Sequence, residues 1–335
     1  MPFTGSPSAV LPDSIVLLNV VPLHIPDGFL TLPIAIVTWI ATAALLAVAI
    51  RRTGVELGER QVPLMGVMAA FIFAAQMINF PVAGGTSGHL LGGALAAIVL
   101  GPWPAMLVMA SVVGVQALLF QDGGLVVMGA NILNMGVLTA LIGYGLYRGA
   151  AGRSVNVRLA VAAVAAWLSV MAGALLTSLQ LWLSGTSSLR VVVPAMLGVH
   201  ALIGIGEALI TVTALAFILR TRPDLVEAGR RQGGLGWVAV GLATALAVVL
   251  VAPLASASPD GLERVATNLG FIDRGENAPY TILPDYTVPF LGETPLSTIA
   301  AGVIGAVLVA AVAVGISALV RRSAGPEGES ERPVR

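Results

Sequence analysis

Three histidines are the side chains of this sequence best suited to bind a transition-metal ion, because the chain of 335 residues contains no cysteine. The donors that remain are imidazole and backbone nitrogen, together with carboxylate and amide oxygen. His24 lies in HIPDGFL directly before a long apolar run, His89 lies in AGGTSGHLLGG, and His200 lies in HALIGIGEALIT. Ionisable groups in apolar surroundings are costly, so each histidine is a candidate for a substrate path.

The segment around His89 has the composition of a backbone that packs closely around a small ligand. Glycines flank Thr86, Ser87 and the imidazole, and glycine permits left-handed turns and close backbone approach. This pattern favours a ligand role for His89, supported by Thr86 and Ser87. The alternative is a loop histidine that caps a short helix.

His200 begins a polar stripe on one predicted helix. Gly204, Glu207 and Thr211 follow it at offsets of 4, 7 and 11, which place all four residues near one helical face. His200 and Glu207 could bind or relay a cation along a substrate path. They could equally form a mutually satisfied structural pair, and the sequence slightly favours that interpretation.

Amide side chains recur at the ends of several apolar segments. Gln76, Asn79, Asn131 and Asn134 are the four that we expect beside the histidines. Amides carry no net charge, so we expect them to hold the imidazoles and the backbone in place around a pocket. Hydrogen bonding between helices is the simpler alternative for each of them.

The composition predicts an all-α polytopic membrane protein. The chain is 57% hydrophobic and only 10% charged, and a transmembrane helix needs roughly 20 apolar residues. Nine candidate windows are present: 32–50, 63–80, 90–101, 103–120, 125–147, 159–183, 191–219, 235–255 and 296–320. The third is short and follows a glycine-rich loop, which indicates a half-helix entered from a re-entrant loop. We therefore expect a helical bundle of about seven spans followed by a two-span unit.

Changes in composition divide the chain into units. We expect a removable or non-native extension over 1–22, a membrane domain over 23–222, a polar linker over 223–234, a two-helix domain over 235–322 and a tail over 323–335. The two helices of the second domain enclose a loop over 256–295 that holds six acidic and two basic residues, a net charge of −4. That charge would concentrate cations nearby, although a plain solvated loop is the alternative.

The arginines predict an orientation. With nine spans, 14 of the 17 arginines fall on one side, and only Arg190, Arg264 and Arg274 fall on the other. Positive charge is concentrated in cytoplasmic loops. We therefore expect a multi-pass protein of the bacterial cytoplasmic membrane, with His24, the 81–93 loop and the 256–295 loop outside and the C-terminus inside.

Several classes of protein are disfavoured. The chain has no G-x-x-x-x-G-K-[ST] loop for ATP hydrolysis and no H-E-x-x-H metalloprotease motif. We expect no bound cofactor and no nucleic-acid partner. An intramembrane enzyme that uses His200 and Glu207 as an acid-base pair is one class that stays open, and a purely structural subunit is another.

Four segments resemble the CbiM/NikM family, the substrate-binding membrane components of energy-coupling-factor transporters for cobalt or nickel. They are HIPDGFL, the segment from ERQVPL to VLGPW, DGGLVVMGANILNMG and HALIGIGEALIT. The region of 235–320, with SPDGLERVA, resembles the small partner component of that family. The resemblance implies a non-enzymatic subunit that works with a transmembrane coupling protein and two cytoplasmic ATPases.

The resemblance also implies a four-nitrogen metal site. Its donors would be the terminal amine of residue 23, the backbone nitrogen and imidazole of His24, and the imidazole of His89. Such planar nitrogen sets suit Ni(II). Residue 23 is Leu23 and 22 residues precede it, so a free amine there requires translation to start at residue 23 or proteolysis to remove 1–22. Nickel and cobalt, the latter for cobalamin synthesis, both stay open, with a slight preference for nickel.

Overall fold

The computed structural model describes residues 24–56, 61–222 and 236–323. Its α-helices are α1 (Leu32–Glu56), α2 (Gln61–Gln76), α3 (Gly93–Leu100), α4 (Pro102–Val115), α5 (Met128–Asn131), α6 (Thr139–Tyr147), α7 (Val155–Leu183), α8 (Leu189–Thr221), α9 (Gly236–Val251), α10 (Gly261–Leu269) and α11 (Pro295–Ser323). Seven helical stretches in the described part are long and apolar enough to cross a membrane. The predicted all-α polytopic bundle is confirmed.

The membrane-length stretches are Leu32–Val55, Pro102–Phe120, Met128–Ala150, Val155–Leu183, Leu189–Thr221, Gly236–Leu254 and Pro295–Arg322. Local sequence accounts for where they end. After α7, Gly185 adopts φ +67, and the amide of Thr186 donates to the carbonyl of Leu181 at 2.9 Å. This is the Schellman pattern that closes helices at a glycine, and it turns the chain back so that α8 packs beside α7.

Two of the nine expected spans are shorter than the sequence predicted. Helix α2 has 16 residues rather than extending to residue 80, because the chain turns into an extended segment at Asn79. Helix α3 has only eight residues, all buried. At 1.5 Å per residue, α3 is about 12 Å long, so it is a half-helix as the glycine-rich loop indicated.

A small hairpin connects α2 to α3, and the sequence did not predict it. Strands β1 (Phe80–Val82) and β2 (Thr86–Gly88) pair antiparallel, with Phe80 opposite Gly88. Gly84 and Gly85 take positive φ values at the turn, which glycine adopts without steric cost. The hairpin returns the chain to the bundle, where residues 89–92 lead into α3.

Two π-helical segments interrupt the expected regular helices. One covers Gln116–Phe120 at the end of α4, and the other covers Ile132–Leu138 between α5 and α6. A π segment adds a residue to a turn and often marks a functional site. The second segment carries Asn134 and directly follows Asn131, two of the predicted polar residues.

The C-terminal helices pack directly on α2. A Cβ atom on Gly66 of α2 would lie 2.6 Å from Cγ2 of Val314 in α11, and Gly305 of α11 leaves room for Phe73 of α2. The chain between α9 and α11 is largely folded, with α10 followed by three short 3₁₀ turns. The expected removable segment 1–22, residue 23, the linker 223–234 and the tail after 323 lie outside the described residues.

We predict that Gly143→Ala destabilises the fold, whereas Gly145→Ala on the same helix does not. A Cβ atom at Gly143 would lie 2.6 Å from the Cα atom of Ala94 in α3, and nothing lies within 4 Å of the same position at Gly145. Overpacking of this kind typically costs about 1–3 kcal/mol. Thermal unfolding in detergent should show a lower midpoint for the first variant only. Equal midpoints would contradict the close packing of α3 on α6.

Candidate metal centre

Segments from both ends of the chain meet at one end of the bundle. The backbone amide of Ser87 donates to the carbonyl of Pro259 at 2.8 Å, and that of Ser256 donates to the carbonyl of Asn79 at 2.8 Å. The backbone of Glu276 likewise donates to the carbonyl of Asp27 at 2.8 Å. The N-terminal segment, the hairpin and the loop between α9 and α11 therefore enclose a common site.

The carboxylate of Asp27 anchors the N-terminal segment. It accepts hydrogen bonds from three consecutive backbone amides, those of Leu125 at 3.0 Å, Val126 at 2.9 Å and Val127 at 3.1 Å. Gly124 makes the approach feasible, because a Cβ atom there would overlap the Asp27 carboxylate. Hydrogen bonds to a charged acceptor are among the stronger ones in proteins, so this contact fixes where the segment enters the bundle.

Asn131 holds the backbone beside His24. Its side chain accepts from the amide of Ile25 at 3.1 Å and donates to the carbonyl of Ile25 at 3.0 Å. Gly124 donates to the same carbonyl at 2.9 Å. With its neighbours fixed in this way, His24 is only 3% exposed. Burial lowers the pKa of its imidazole, and the charge of nearby Asp122 opposes that shift.

The imidazoles of His24 and His89 face each other. Their ring centroids lie 5.4 Å apart with an interplanar angle of 69°. Both rings line a cavity that is also bordered by Asn131, Asn134 and His200. The structure thus brings together two of the predicted ligands and two of the predicted amides around one space.

Hydrogen bonds define which ring nitrogens are free. Nδ1 of His24 lies 3.1 Å from the carbonyl oxygen of Asp122, Nδ1 of His89 lies 3.0 Å from that of Leu90, and Nδ1 of His200 lies 2.8 Å from that of Met196. A carbonyl oxygen only accepts, so in each ring Nδ1 carries the proton and Nε2 carries the lone pair. Nε2 of His24 is buried without a hydrogen-bond partner.

Glu207 supports the glycine-rich loop instead of pairing with His200. Its two carboxylate oxygens accept from the backbone amides of Leu91 at 2.6 Å and Gly92 at 3.0 Å. Gln76 donates to the carbonyl of Leu91 at 2.8 Å. These contacts hold the residues that follow His89 and lead into α3. The geometry therefore gives the proposed acid-base pair no support.

The other predicted polar residues have separate partners. Asn134 exchanges hydrogen bonds with Gln180 at 2.8 and 2.9 Å and donates to Thr177 at 3.0 Å. Thr86 is buried in β2. The amide oxygen of Asn79 is buried without a hydrogen-bond partner in the described part of the chain, and Asn79 does not line the cavity. Leu23 lies outside the described residues.

The sequence SPDGLE closes the cavity from the C-terminal unit. Asp260 caps α10 by accepting from the amide of Glu263 at 2.7 Å, and the Glu263 side chain accepts from the amide of Asp260 at 3.3 Å. A Cβ atom on Gly261 would lie 2.9 Å from Cε1 of His200, so glycine lets this segment pack on α8. Asp260 borders the cavity, and burial raises its pKa to about 8.

Ser87 joins the hairpin to this closing segment. Besides its backbone contact with Pro259, its hydroxyl donates to the carbonyl of Ser258 at 2.7 Å. Ser87 is fully buried. Its role in the described structure is therefore to fasten the loop that carries His89.

Sequence reasoning missed Asp122 and Tyr286. Asp122 contacts His24, and its Oδ2 accepts from the hydroxyl of Tyr286 at 2.6 Å. The signal for Asp122 was the pair of glycines that follows it, since Gly123 adopts φ +99 and its missing Cβ atom makes room for His24. Tyr286 lies about 160 residues further along the chain, and no local pattern marks it.

No three His, Asp or Glu side chains in residues 24–56, 61–222 and 236–323 are arranged to hold a single metal ion. His24 and His89 can supply two nitrogens. A complete donor set at this site therefore needs backbone nitrogen or further donors beyond these side chains.

We predict that Asn131→Ala loosens the N-terminal segment without unfolding the bundle. The variant loses two hydrogen bonds to Ile25, each worth roughly 1 kcal/mol, so amide exchange at residues 24–27 should accelerate about 30-fold in hydrogen-exchange mass spectrometry. Asn79→Ala is the matched control, because its amide oxygen has no partner to lose. Unchanged exchange in Asn131→Ala would contradict the role assigned to that side chain.

The sequence is similar to those of known metal transport proteins. Residues 24–225 match the family model described as the cobalt uptake substrate-specific transmembrane region, and residues 235–322 match the PDGLE domain. The putative fused nickel transport protein NikMN of Archaeoglobus fulgidus is 38% identical over 308 residues, which cover 89% of this chain and 99% of that protein. The fused nickel transport protein NikMN of Rhodobacter capsulatus is 30% identical and covers 90% of this chain and all of that protein.

A crystal structure of a truncated transition metal transporter is also similar. It is 32% identical and aligns with a TM-score of 0.53 over 59% of this chain and 98% of its own. The family model covers more than half of this chain, and the Archaeoglobus relative matches nearly all of it. The chain therefore belongs to the CbiM/NikM family of cobalt and nickel transport membrane proteins and carries a PDGLE domain at its C-terminal end.

Proposed function

We propose that this chain is the substrate-capture subunit of an ATP-driven energy-coupling-factor importer for Ni(II) or Co(II). The observation that carries the proposal is the pair of imidazoles, His24 and His89, whose ring centroids lie 5.4 Å apart beside a cavity that residues of both chain units line. Neutral imidazole nitrogen is a common ligand of both ions. Family membership indicates transport of cobalt or nickel, and the cavity offers a place where the ion can bind.

The ion would be held by four nitrogens. Two come from the imidazoles of His24 and His89, and two come from the backbone nitrogen of His24 and the terminal amine of residue 23 in a chain that begins there. The described side chains provide too few donors for a complete set, which favours backbone participation. His24 is buried, and Asn131 holds the backbone of Ile25 that follows it.

The remaining polar residues would support this site. Asn131 positions the backbone beside His24, and Gln76 and Glu207 hold the backbone after His89. Asn134 lines the cavity from the π-helical segment between α5 and α6. Partners of metal-binding histidines typically change metal affinity about 10–100-fold when replaced. Thr86 and Ser87 act on His89 through the hairpin.

The partners would be a transmembrane coupling protein and two cytoplasmic ATPases. The apolar faces of the long helices point outward, as with Ile36 and Ile40 of α1, which are 50% and 64% exposed, and these faces suit contact with lipid. We place the cavity on the outer side of the cytoplasmic membrane, consistent with the arginine distribution. The acidic 256–295 loop would admit the ion before the ATPases drive its release inward.

We predict that His89→Ala abolishes high-affinity metal binding and uptake, because it removes one of two facing imidazoles. His200→Ala serves as the comparison, since His200 lines the cavity but lies outside the proposed donor set. Equilibrium dialysis with radioactive Ni(II) measures binding, and cellular accumulation measures uptake. Retained binding in His89→Ala would exclude this site.

We predict tighter binding of Ni(II) than of Co(II), as the general affinity order for nitrogen donors requires. The two full-length relatives described as fused nickel transport proteins favour the same ion. Isothermal titration of the chain as its own host produces it, combined with intact mass of the N-terminus, tests both the preference and the free amine. A chain that begins at residue 1 or 2 and still takes up metal fully would contradict the four-nitrogen set.

A further inference from the structure

The proposed chelate and the observed orientation of His24 use the same nitrogen. A ring that includes a metal ion, the backbone nitrogen of His24 and its own imidazole has six members only when Nδ1 is the ligating atom. In the structure, Nδ1 donates to the carbonyl of Asp122 at 3.1 Å and lies 3.5 Å from its Oδ1. Nε2 of His24 is buried without a hydrogen-bond partner among the described residues. Formation of the chelate therefore requires the imidazole to leave Asp122.

The C-terminal unit fixes Asp122 in this position. The hydroxyl of Tyr286 donates to Oδ2 of Asp122 at 2.6 Å and accepts from Nε2 of Gln116 at 3.0 Å. The Tyr286 ring stacks on Phe120 at a centroid distance of 4.8 Å. Burial raises the pKa of Tyr286 well above its usual value, so its proton is present to be donated. A continuous chain of contacts thus joins Gln116, Tyr286, Asp122 and His24.

Backbone strain coincides with this contact. Three non-glycine residues in the described part of the chain have positive φ: Gln121 at 59°, Asp285 at 47° and Tyr286 at 54°. Gln121 directly precedes Asp122. Tyr286 is the residue whose hydroxyl donates to Asp122, and Asp285 directly precedes Tyr286. Such conformations persist where the surrounding structure enforces them and are frequent at switching sites. Strained backbone therefore occurs on both sides of the contact between Asp122 and Tyr286, and the rest of the fold must stabilise it.

We propose that Asp122 and Tyr286 form a latch that holds His24 in a metal-free orientation, and that metal loading replaces the contact between Asp122 and Nδ1 by a bond from Nδ1 to the ion. The proposal deepens the proposed function and rests on it. Tyr286 is a positioning residue, since it acts on His24 through Asp122. On loading, the imidazole turns about its Cβ–Cγ bond, the Nδ1 proton is lost to solvent, and Nε2 acquires a proton from solvent. The backbone nitrogen of His24 releases its amide proton to solvent when it binds the ion.

The latch explains how the same site can bind and release an ion. The metal bond replaces an existing hydrogen bond, so the net affinity is lower than the strength of the chelate alone. When the ion leaves, the carbonyl and carboxylate of Asp122 are ready to take Nδ1 again. Because Tyr286 belongs to the loop between α9 and α11, docking of that loop favours the metal-free orientation.

Nitrogen-15 NMR of histidine-labelled protein tests the exchange directly, since the chain contains only three histidines. Planar four-nitrogen Ni(II) is diamagnetic, so both states are observable, and His89→Ala and His200→Ala assign the signals of the metal-free chain. We expect His24 to carry its proton on Nδ1 without metal and on Nε2 after addition of nickel chloride. A proton that stays on Nδ1 in the loaded protein would show ligation through Nε2 and overturn the latch.

Tyr286→Phe tests the role of the C-terminal unit. It removes one hydroxyl and keeps the ring that stacks on Phe120. We expect metal-free His24 to populate both tautomers and nickel loading in stopped-flow absorption to accelerate about fivefold, the equivalent of one hydrogen bond of about 1 kcal/mol. Tyr280→Phe is the matched control. Tyr280 lies in the same loop as Tyr286, but its hydroxyl donates to the carbonyl of Leu118 at 2.9 Å and not to Asp122.

The outcomes separate the latch from the proposed function. If Tyr286→Phe and Tyr280→Phe both load nickel at the rate of the native chain, or both change that rate equally, the latch is rejected. The transporter proposal then stands. Absence of nickel binding in the native chain would reject the transporter proposal. In that case the latch, as stated, also fails, even if Tyr286→Phe alters the metal-free tautomer of His24.

Discussion

The structure depends on satisfying the backbone of an irregular segment inside an apolar bundle. Residues 24–30 have no helical hydrogen bonds of their own, and an unpaired backbone amide or carbonyl in such a setting costs several kcal/mol. Asn131 pairs with both backbone groups of Ile25, and Asp27 in return satisfies three amides of residues 125–127. This mutual exchange lets the segment enter the bundle and bury His24.

The same requirement explains the polar stripe on α8 and the folded PDGLE segment. Residues 89–92 are irregular, so Glu207 and Gln76 supply the hydrogen-bond partners that a helix would have supplied internally. Ser87 does the same for the segment of residues 258–259. Polar side chains that look like candidate catalysts in the sequence are thus used to hold loops, and the loops carry the imidazoles.

The two units of the chain share one site. α11 packs against α2 through glycines on both helices, while Asp260 and the first residues of α10 border the cavity formed by the first unit. Tyr286 reaches Asp122 through an aromatic cluster with Phe73 and Phe120. In the proposed role the chain would alternate between holding and releasing its ion, and a second unit that borders the same cavity could shift that balance.

The sequence by itself determined the membrane class, the positions of the long helices and the half-helix after the glycine-rich loop, since these follow from apolar length and from glycine. It also singled out His24, His89, Asn131 and Asn134, which border one cavity in the structure. The ends of α2, the hairpin of residues 80–88, the partners of Glu207 and the roles of Asp122 and Tyr286 were decided by tertiary structure alone. Each depends on a contact between residues far apart in the chain, and local periodicity carries no information about which distant backbone group will need a partner.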